Sequence, residues 1–296
     1  MKKIIFGTDW WTDCDDAVAL RMLARAHNAG EIDLCGIVIN ACMEDSVRSA
    51  DAFLQMEKCD GIPLGLDAAA VDFGGRPPYQ KRLAASGMST KCNDDAEDAV
   101  RLYRRLLAAS DTPVELIEVG YLQAFAALLE SAGDDISPLT GIELLRRKAS
   151  MVWCMAGKWD DDPGRENNFA RNPRARIGGA AVCDKCPIPM VFLGWEIGHD
   201  VLSGGSLRED DPLHQVLCDH GSPRGRSSWD PMTTLLALIG DTETAGYRTV
   251  RGTAHVNAAT GENTFTPDES GTHAYVVRTR DTAFYRDAID ARIASI

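Results

Sequence analysis

Short apolar runs of strand length alternate with longer segments of helical periodicity through most of this chain. Such alternation is typical of a parallel sheet with helices on both faces. The segment from Tyr247 to Arg280 instead alternates polar and apolar residues, which predicts antiparallel strands near the sheet edge. The sequence therefore predicts an α/β fold: a Rossmann-like open, mostly parallel sheet flanked by helices, with antiparallel additions near the C-terminus. The clearest strand-like runs are Ile32–Ile39, Val114–Gly120, Ala149–Met155 and Pro189–Gly194.

The chain has 296 residues, of which 45% are hydrophobic, and this is enough to fill one sizeable core. It contains no internal repeat, low-complexity stretch or linker, so we predict a single domain over residues 1–296. The net charge is −13 and no basic tract stands out, which argues against a nucleic-acid polymer as partner.

The same sequence argues against a membrane partner, because no apolar run approaches the length of a membrane span. Only three strongly apolar residues, Ile4 to Phe6, follow the basic start, which is too few for a signal peptide. Nine scattered cysteines, an odd number, are typical of a reduced protein. We therefore expect a cytoplasmic protein.

Four aspartates follow the first strand-like run within eight residues: Asp9, Asp13, Asp15 and Asp16. So many acids repel one another unless a positive charge lies among them, and a hard divalent cation such as Ca²⁺ or Mg²⁺ would supply it. The alternative is helix capping, but capping needs only one or two acids. Because open α/β sheets bind ligands at the carboxyl ends of their strands, the pattern favours a metal or ligand site.

Other polar residues also follow strand-like runs, namely Asn40, the segment Glu166–Asn168, and Trp229–Asp230. Taken singly, each has a structural alternative: a turn residue, a solvated loop, and a helix cap before Pro231. The carboxyl ends of parallel strands meet at one edge of the sheet, so we expect these residues to converge there with the early aspartates.

These motifs resemble those of the inosine–uridine nucleoside ribohydrolases. The resemblance runs in order over nearly the whole chain, and this order makes it stronger than any single motif. It rests on the opening strand with its Asp-rich loop and closing Asp-Asp pair, Asn40, Gly120–Gln123, Met155–Gly157, Glu166–Phe169 and Asp230–Pro231.

The resemblance implies Ca²⁺-dependent hydrolysis of the N-glycosidic bond of a ribonucleoside, or of a related ribosyl compound, to free base and ribose. A calcium-bound water would be the nucleophile. By this resemblance Asp9 would bind calcium and take the proton of the water, and Asp16 would be a bidentate ligand. Asp230 would be a late ligand that also touches the ribose, and Gln123 would contribute its backbone carbonyl.

The remaining matches imply contacts with the sugar. Asp15, Asn40, Glu166 and Asn168 correspond to residues that bind ribose hydroxyls. The resemblance also implies a small-molecule nucleoside or ribosyl substrate, a role in purine or pyrimidine salvage, and a homodimer or homotetramer.

The sequence departs from the family at three positions. Asp13 is an extra acid in a longer loop, and it could replace Asp9 as the catalytic base. Gly7 stands where many members carry an aspartate. Trp229 stands where a histidine often helps the base to leave, and an indole can stack on a base but cannot protonate it. Either another acid protonates the leaving base, such as one in the segment Asp72–Asn93, or the substrate has a leaving group that needs less assistance.

Two other functions stay open at this stage. The chain could be a catalytically weak ribose- or nucleoside-binding protein that retains the calcium site, with Trp229 as one of its ligand contacts. It could also be a Mg²⁺ phosphohydrolase with an aspartate nucleophile. That chemistry usually needs an acid two residues after the nucleophile, and Trp11 occupies this position after Asp9.

Overall fold

The computed structural model describes residues 1–11, 13–75 and 79–295. Within these ranges the strands are β1 (Lys2–Thr8), β2 (Ile32–Ile39), β3 (Leu64–Leu66), β4 (Glu97–Asp98), β5 (Val114–Glu118), β6 (Ala149–Met155), β7 (Gly164–Arg165), β8 (Met190–Leu193), β9 (Leu202–Ser203), β10 (Arg226–Ser227), β11 (Tyr247–Val256), β12 (Glu262–Pro267) and β13 (His273–Arg278).

The α-helices of the same ranges are α1 (Asp15–Asn28), α2 (Ser46–Met56), α3 (Gln80–Ala84), α4 (Ala99–Ala109), α5 (Gln123–Glu130), α6 (Gly141–Lys148), α7 (Asn167–Ala170), α8 (Pro173–Lys185), α9 (Trp195–Gly198), α10 (Pro212–Asp219), α11 (Trp229–Ile239) and α12 (Thr282–Ile293). Among these helices, none has both the length and the apolar character that a membrane crossing requires.

Eleven of the described strands form one sheet in the order β4-β3-β2-β1-β5-β6-β8-β13-β11-β12-β7. The pairs from β4 to β13 are parallel. The last three pairs, β13 with β11, β11 with β12 and β12 with β7, are antiparallel. The predicted fold class is confirmed, and β13 adds one detail because it pairs parallel to β8 and antiparallel to β11.

Both faces of the sheet are covered, as the apolar runs indicated. Ile4 and Phe6 of β1 pack into the core on one face with α1 and α11, whereas Ile5 packs on the other face with α4 and α5. Successive side chains of a strand point to opposite faces, so a strand buried on both faces is apolar throughout. β1 lies between β2 and β5, and its carboxyl end therefore opens at the centre of the sheet.

One helix start differs from the prediction. The sequence pattern predicts a helix from Asp94 to Ala109, but α4 begins at Ala99. The side chain of Asp98 caps this helix by accepting a hydrogen bond from the Arg101 amide, and the residues before it form a short edge strand beside β3. An N-cap residue has non-helical backbone angles, so the helix cannot extend past it.

The segment Asp72–Asn93 is rich in Gly, Pro and Ser, which predicts an excursion over the surface, but it is attached to the body of the protein at several points. Phe73 stacks on Tyr121 with ring centroids 3.9 Å apart, and Tyr79 is fully buried against Trp10. Its residues 76–78 lie outside the described part of the chain.

The antiparallel edge of the sheet contacts a loop from the middle of the chain. β12 pairs with β7, and the buried Asn263 of β12 accepts a hydrogen bond from the Lys158 amide and donates one to the Lys158 carbonyl. The loop that precedes Glu166 is therefore fixed by the C-terminal hairpin.

Candidate functional site

A cavity of about 190 Å³ opens at the carboxyl ends of the central strands. Six carboxylates, two asparagines and two tryptophans share its wall with Arg226. The lining residues are Asp9, Asp13, Asp15, Asp16, Val119, Met155, Glu166, Asn167, Asn168, Trp195, Arg226, Trp229 and Asp230.

The early aspartates reach this cavity through the turn between β1 and α1. Asp15 and Asp16 form the first turn of α1, and both are buried. The carboxylate of Asp16 accepts hydrogen bonds from the Thr8 hydroxyl and from the Trp10 amide. In the described chain the cap position, Cys14, makes no side-chain cap bond, so capping does not account for this group of acids.

Two segments that are far apart in the sequence meet at the site. The Asp15 carboxylate accepts a hydrogen bond of 3.0 Å from the Asp230 amide, across 215 residues of sequence. Asp230 is the second residue of α11, whose cap position is Ser228. The alternative that Asp230 only caps this helix before Pro231 is therefore wrong.

Two backbone features let the acidic loop pass close to its neighbours. Trp10 has a positive φ of 48°, which is uncommon for a large side chain, and its indole N–H donates to Ser49 over 2.8 Å. Gly120 follows β5, and a Cβ atom there would overlap the Asp9 amide nitrogen. Glycine is thus required for the close approach of these two segments.

Burial raises the pKa values of the buried acids at the site. For Asp9, Asp15 and Asp230, burial raises the pKa most, followed by the charges of neighbouring aspartates. The pKa of Asp16 is raised to about 7, again by burial first and then by Asp13. Burial also raises the pKa of Glu166 to about 7, opposed by backbone N–H donors. Such a group binds either protons or a cation.

The donor set fits a hard cation. Oxygen atoms of Asp13, Asp15 and Asp16 lie within 4.8 Å of one another. Carboxylate oxygens are the ligands that Ca²⁺ and Mg²⁺ prefer, and they are poor ligands for soft metals. The predicted acidic ligands Asp9, Asp16 and Asp230 all line the cavity, although only Asp16 belongs to this closest group.

The fourth predicted ligand, Gln123, is the first residue of α5 and is not among the described residues that line the cavity. Its side-chain amide donates to the Asn40 carbonyl over 2.5 Å and to the Asp67 carboxylate over 3.1 Å. The prediction concerned the backbone carbonyl of Gln123, and it stays a prediction.

Glu166 and Asn168 are held rigidly at the cavity. Glu166 caps α7 by accepting from the Asn168 amide (2.8 Å), and its second oxygen accepts from the Gly157 amide (3.0 Å). The Asn168 side chain donates to the carbonyls of Val119 and Met155, so it joins the ends of β5 and β6. Both residues are buried, which contradicts the alternative of a solvated loop.

Asn40 is not among the described residues that line the cavity. Its side-chain oxygen accepts a hydrogen bond from the Tyr121 amide over 3.0 Å, whereas its buried Nδ2 has no hydrogen-bond partner in the part of the chain that the structure describes. A contact between Asn40 and a sugar therefore stays a prediction.

One wall of the cavity is aromatic and carries a cation. The Trp229 indole donates to the Trp195 carbonyl over 2.8 Å, and both rings line the cavity. The Arg226 guanidinium lies 5.2 Å from the centroid of the Trp229 ring and 3.5 Å from the Asp13 carboxylate. No described residue of the segment Asp72–Asn93 lines the cavity, so this segment supplies no acid there.

Five lining residues were not predicted as site residues: Val119, Met155, Asn167, Trp195 and Arg226. Arg226 is three positions before Trp229, but no sequence pattern marks it. For Trp10, Trp11, Trp159 and Trp195 the sequence favours packing in the core. Trp10, Trp11 and Trp159 are indeed buried, whereas Trp195 is 40% exposed at the cavity.

Comparisons with known proteins agree with the fold. No protein-family profile matches this sequence, and no curated protein matches it. Solved structures that cover 99% of the chain include an inosine-uridine preferring nucleoside hydrolase from Bacillus anthracis, with TM-score 0.69, 17% identity and 99% of that chain covered.

Two further structures cover the same share of the chain at 14% identity and a TM-score of 0.68. One is a purine-preferring ribonucleoside hydrolase from Gardnerella vaginalis, of which 98% is covered. The other is the type III effector protein XopQ complexed with adenosine diphosphate ribose, of which 93% is covered. The expectation of a nucleoside hydrolase fold is confirmed.

Proposed function

We propose that this chain, which has the fold of the nucleoside hydrolases, catalyses the Ca²⁺-dependent hydrolysis of the N-glycosidic bond of ribonucleosides or related ribosyl compounds. One observation carries the proposal. The hydrogen bond between Asp15 and the Asp230 amide joins acids from both ends of the chain around one cavity at the carboxyl ends of the strands. In open α/β sheets this is the position at which ligands bind.

The acids suit the charge that develops in this reaction. When a base leaves C1′, the sugar gains oxocarbenium character, and preorganised carboxylates stabilise that positive charge. The Glu166 carboxylate is oriented by two backbone N–H groups, and the Asn168 amide by two carbonyls. In our proposal Asp15, Glu166 and Asn168 bind the ribose hydroxyls, with Asn40 and Asp230 beside them, and fix the sugar for attack.

Asp9, Asp16 and Asp230 would hold the calcium ion, with the Gln123 carbonyl as a further ligand. When bound, calcium offsets the repulsion of the acids and lowers the pKa of a coordinated water. Asp9 takes the proton of the attacking water as general base. Asp13 is the alternative base, but its carboxylate faces the Arg226 guanidinium at 3.5 Å, which favours Asp9 for this role.

The aromatic wall would receive the leaving group. Trp195 already stacks on His199 and Trp229 on Arg226, so a planar base would pack against the remaining surface of the two indoles. This arrangement gives the substrate an orientation, with the sugar over the carboxylates and the aglycone against the two indoles.

The direct test measures the release of reducing sugar from a panel of ribonucleosides. We expect turnover in calcium-containing buffer that is lost with a chelator and in Asp9→Asn. The matched control is Asp160→Asn, which removes an exposed loop acid that is paired with Lys158 outside the cavity. If the wild-type protein releases no sugar from any member of the panel, the proposal is wrong.

A second candidate function is a ribose- or nucleoside-binding protein without turnover. It is favoured by Trp229, because an indole cannot protonate a departing base. Calorimetry distinguishes the two, since this candidate requires calcium and ligand binding with no sugar release.

The family resemblance also supports a role in purine or pyrimidine salvage in the cytoplasm and a homodimer or homotetramer. Light scattering coupled to size-exclusion chromatography tests the assembly, and a monomeric mass would contradict it.

A further inference from the structure

Arg226 is the one cationic side chain that the described residues bring to the cavity, where six carboxylates face it. It is half-buried, and its position is fixed by the short sheet in which β10 pairs with β9. The next residues strengthen this fixation, because the Ser228 hydroxyl bonds to Ser203 at 2.7 Å and Ser227 donates to the His199 carbonyl. The backbone that carries Arg226 is thus held in place beside the cavity.

The hydrogen-bonding capacity of Arg226 is largely unused. A guanidinium carries several N–H donors in a planar fork. Among the described residues its polar partner is Asp13, at 3.5 Å, and its Nε–H is buried without an acceptor. The remaining N–H groups of the fork are therefore available to an acceptor on a bound molecule.

The position of Arg226 indicates which part of a substrate it meets. Its guanidinium lies 5.2 Å from the ring centroid of Trp229, on the aromatic wall, whereas Glu166 and Asn168 come from the ends of the central strands. If the sugar lies over the acids, the aglycone lies against the wall, next to Arg226.

We propose that Arg226 stabilises the departing aglycone as an anion and so replaces a proton donor at this site. The inference rests on the proposed hydrolase function and names its substrate class: ribosides whose aglycone leaves with negative charge on an oxygen or nitrogen acceptor. An arginine side chain keeps its proton in proteins, so it acts by charge and hydrogen bonding and not as a general acid.

The step balances without an added reactant. The bond between C1′ and the aglycone breaks, and its electron pair goes to the aglycone, whose negative charge Arg226 offsets. The oxygen of water bonds to C1′, and Asp9 takes a proton from that water. The aglycone anion then takes a proton from solvent.

The test uses aryl ribosides with leaving groups from 4-nitrophenol to unsubstituted phenol, assayed with the full-length protein in calcium-containing buffer. The quantity measured is the slope of log kcat/KM against the pKa of the leaving group. We expect Arg226→Met to lose roughly 10²-fold in kcat/KM for the poorest leaving group and much less for the best, which gives a steeper slope. Arg226→Lys should give an intermediate slope, because it keeps the charge but not the fork.

The matched control is Arg280→Met, which removes another arginine stacked on an aromatic ring, Phe284, outside the cavity. It should keep the wild-type slope. Added guanidinium should restore Arg226→Ala preferentially for poor leaving groups.

Three results would overturn the proposal. If the wild-type and Arg226→Met lines are parallel, Arg226 only supports the structure, while the hydrolase function stands. If Arg226→Met is as active as the wild type throughout, the residue has no role in the reaction. If the wild-type protein hydrolyses neither nucleosides nor aryl ribosides, the hydrolase function fails and this inference fails with it.

Discussion

The carboxyl group of Glu118 fills the space that a side chain at position 7 would occupy. Gly7 and Glu118 are register partners on the adjacent strands β1 and β5, and a Cβ atom on Gly7 would overlap the Glu118 carboxylate. Glu118 is fully buried and accepts a hydrogen bond of 2.7 Å from the Tyr103 hydroxyl. Where many nucleoside hydrolases carry an acid at position 7, this chain has a glycine and places an acid on the neighbouring strand.

This relationship predicts that Gly7→Ala destabilises the protein, because the added Cβ would overlap the Glu118 carboxylate and would lie 2.8 Å from the Tyr103 hydroxyl. We expect a loss of about 1–3 kcal/mol in the free energy of unfolding, as is usual for overpacking. Glu118→Ala removes the overlapping carboxylate, but it also lowers the free energy of unfolding, since it leaves the buried Tyr103 hydroxyl unpaired. In the Glu118→Ala background, Gly7→Ala should cost less than it does in the wild type, because the Tyr103 hydroxyl is then the remaining atom within 3 Å of the added Cβ. Urea unfolding of the four proteins measures this coupling, and additive losses would disprove it.

Glu118 also predicts how stability changes with pH. Burial raises its pKa to about 8 in the folded protein, from an ordinary value of 4.5. Between these values the unfolded chain has released the proton that the folded chain retains, so this contribution to stability falls as the pH rises. Relative to Glu118→Gln, which does not titrate, the wild type should lose more than about 1 kcal/mol between about pH 5 and about pH 8. Denaturant unfolding at both pH values gives the difference, and a difference independent of pH would contradict the assignment.

Calcium should stabilise the folded protein, because a cation that binds only the folded state shifts the unfolding equilibrium. At a hundredfold excess over its dissociation constant the gain is about 2.7 kcal/mol. We expect the thermal midpoint to rise with calcium and fall with chelator, and this response to disappear in Asp16→Asn. Asp160→Asn should respond as the wild type does. Equal midpoints with calcium and with chelator would count against a calcium site.

Asp9 and Asp13 should differ in their effect on turnover. Loss of a general base costs about 10²–10⁴ in rate, and we expect this for Asp9→Asn. Asp13→Asn should cost less than about tenfold, or ~1.4 kcal/mol in the barrier, because Asp13 faces Arg226. The measurement is kcat for inosine, with thermal midpoints to confirm that both variants fold. The reverse order of losses would assign the base to Asp13.

The sequence was most informative about strands that are buried on both faces. The predicted bounds Ile32–Ile39 and Ala149–Met155 are those of β2 and β6, because such strands are apolar throughout. The convergence of Asp9, Glu166 and Asp230 at one cavity was also predictable, since it follows from the edge at which parallel strands end.

Other parts of the site depend on contacts that no local pattern records. Arg226 reaches the cavity because β10 pairs with β9, a pair of two residues on each side. Asn40 follows its strand as predicted, but its side-chain oxygen is fixed by a hydrogen bond from the Tyr121 amide. Both outcomes are set by partners far away in sequence.

The pairing of β12 with β7, together with the two hydrogen bonds between Asn263 and Lys158, has a consequence for the order of assembly. A nascent chain synthesised only as far as Met155 carries the early aspartates but has neither Asp230 nor the strand that secures the approach to Glu166. Ligand binding at this cavity therefore requires a chain that extends at least through Pro267.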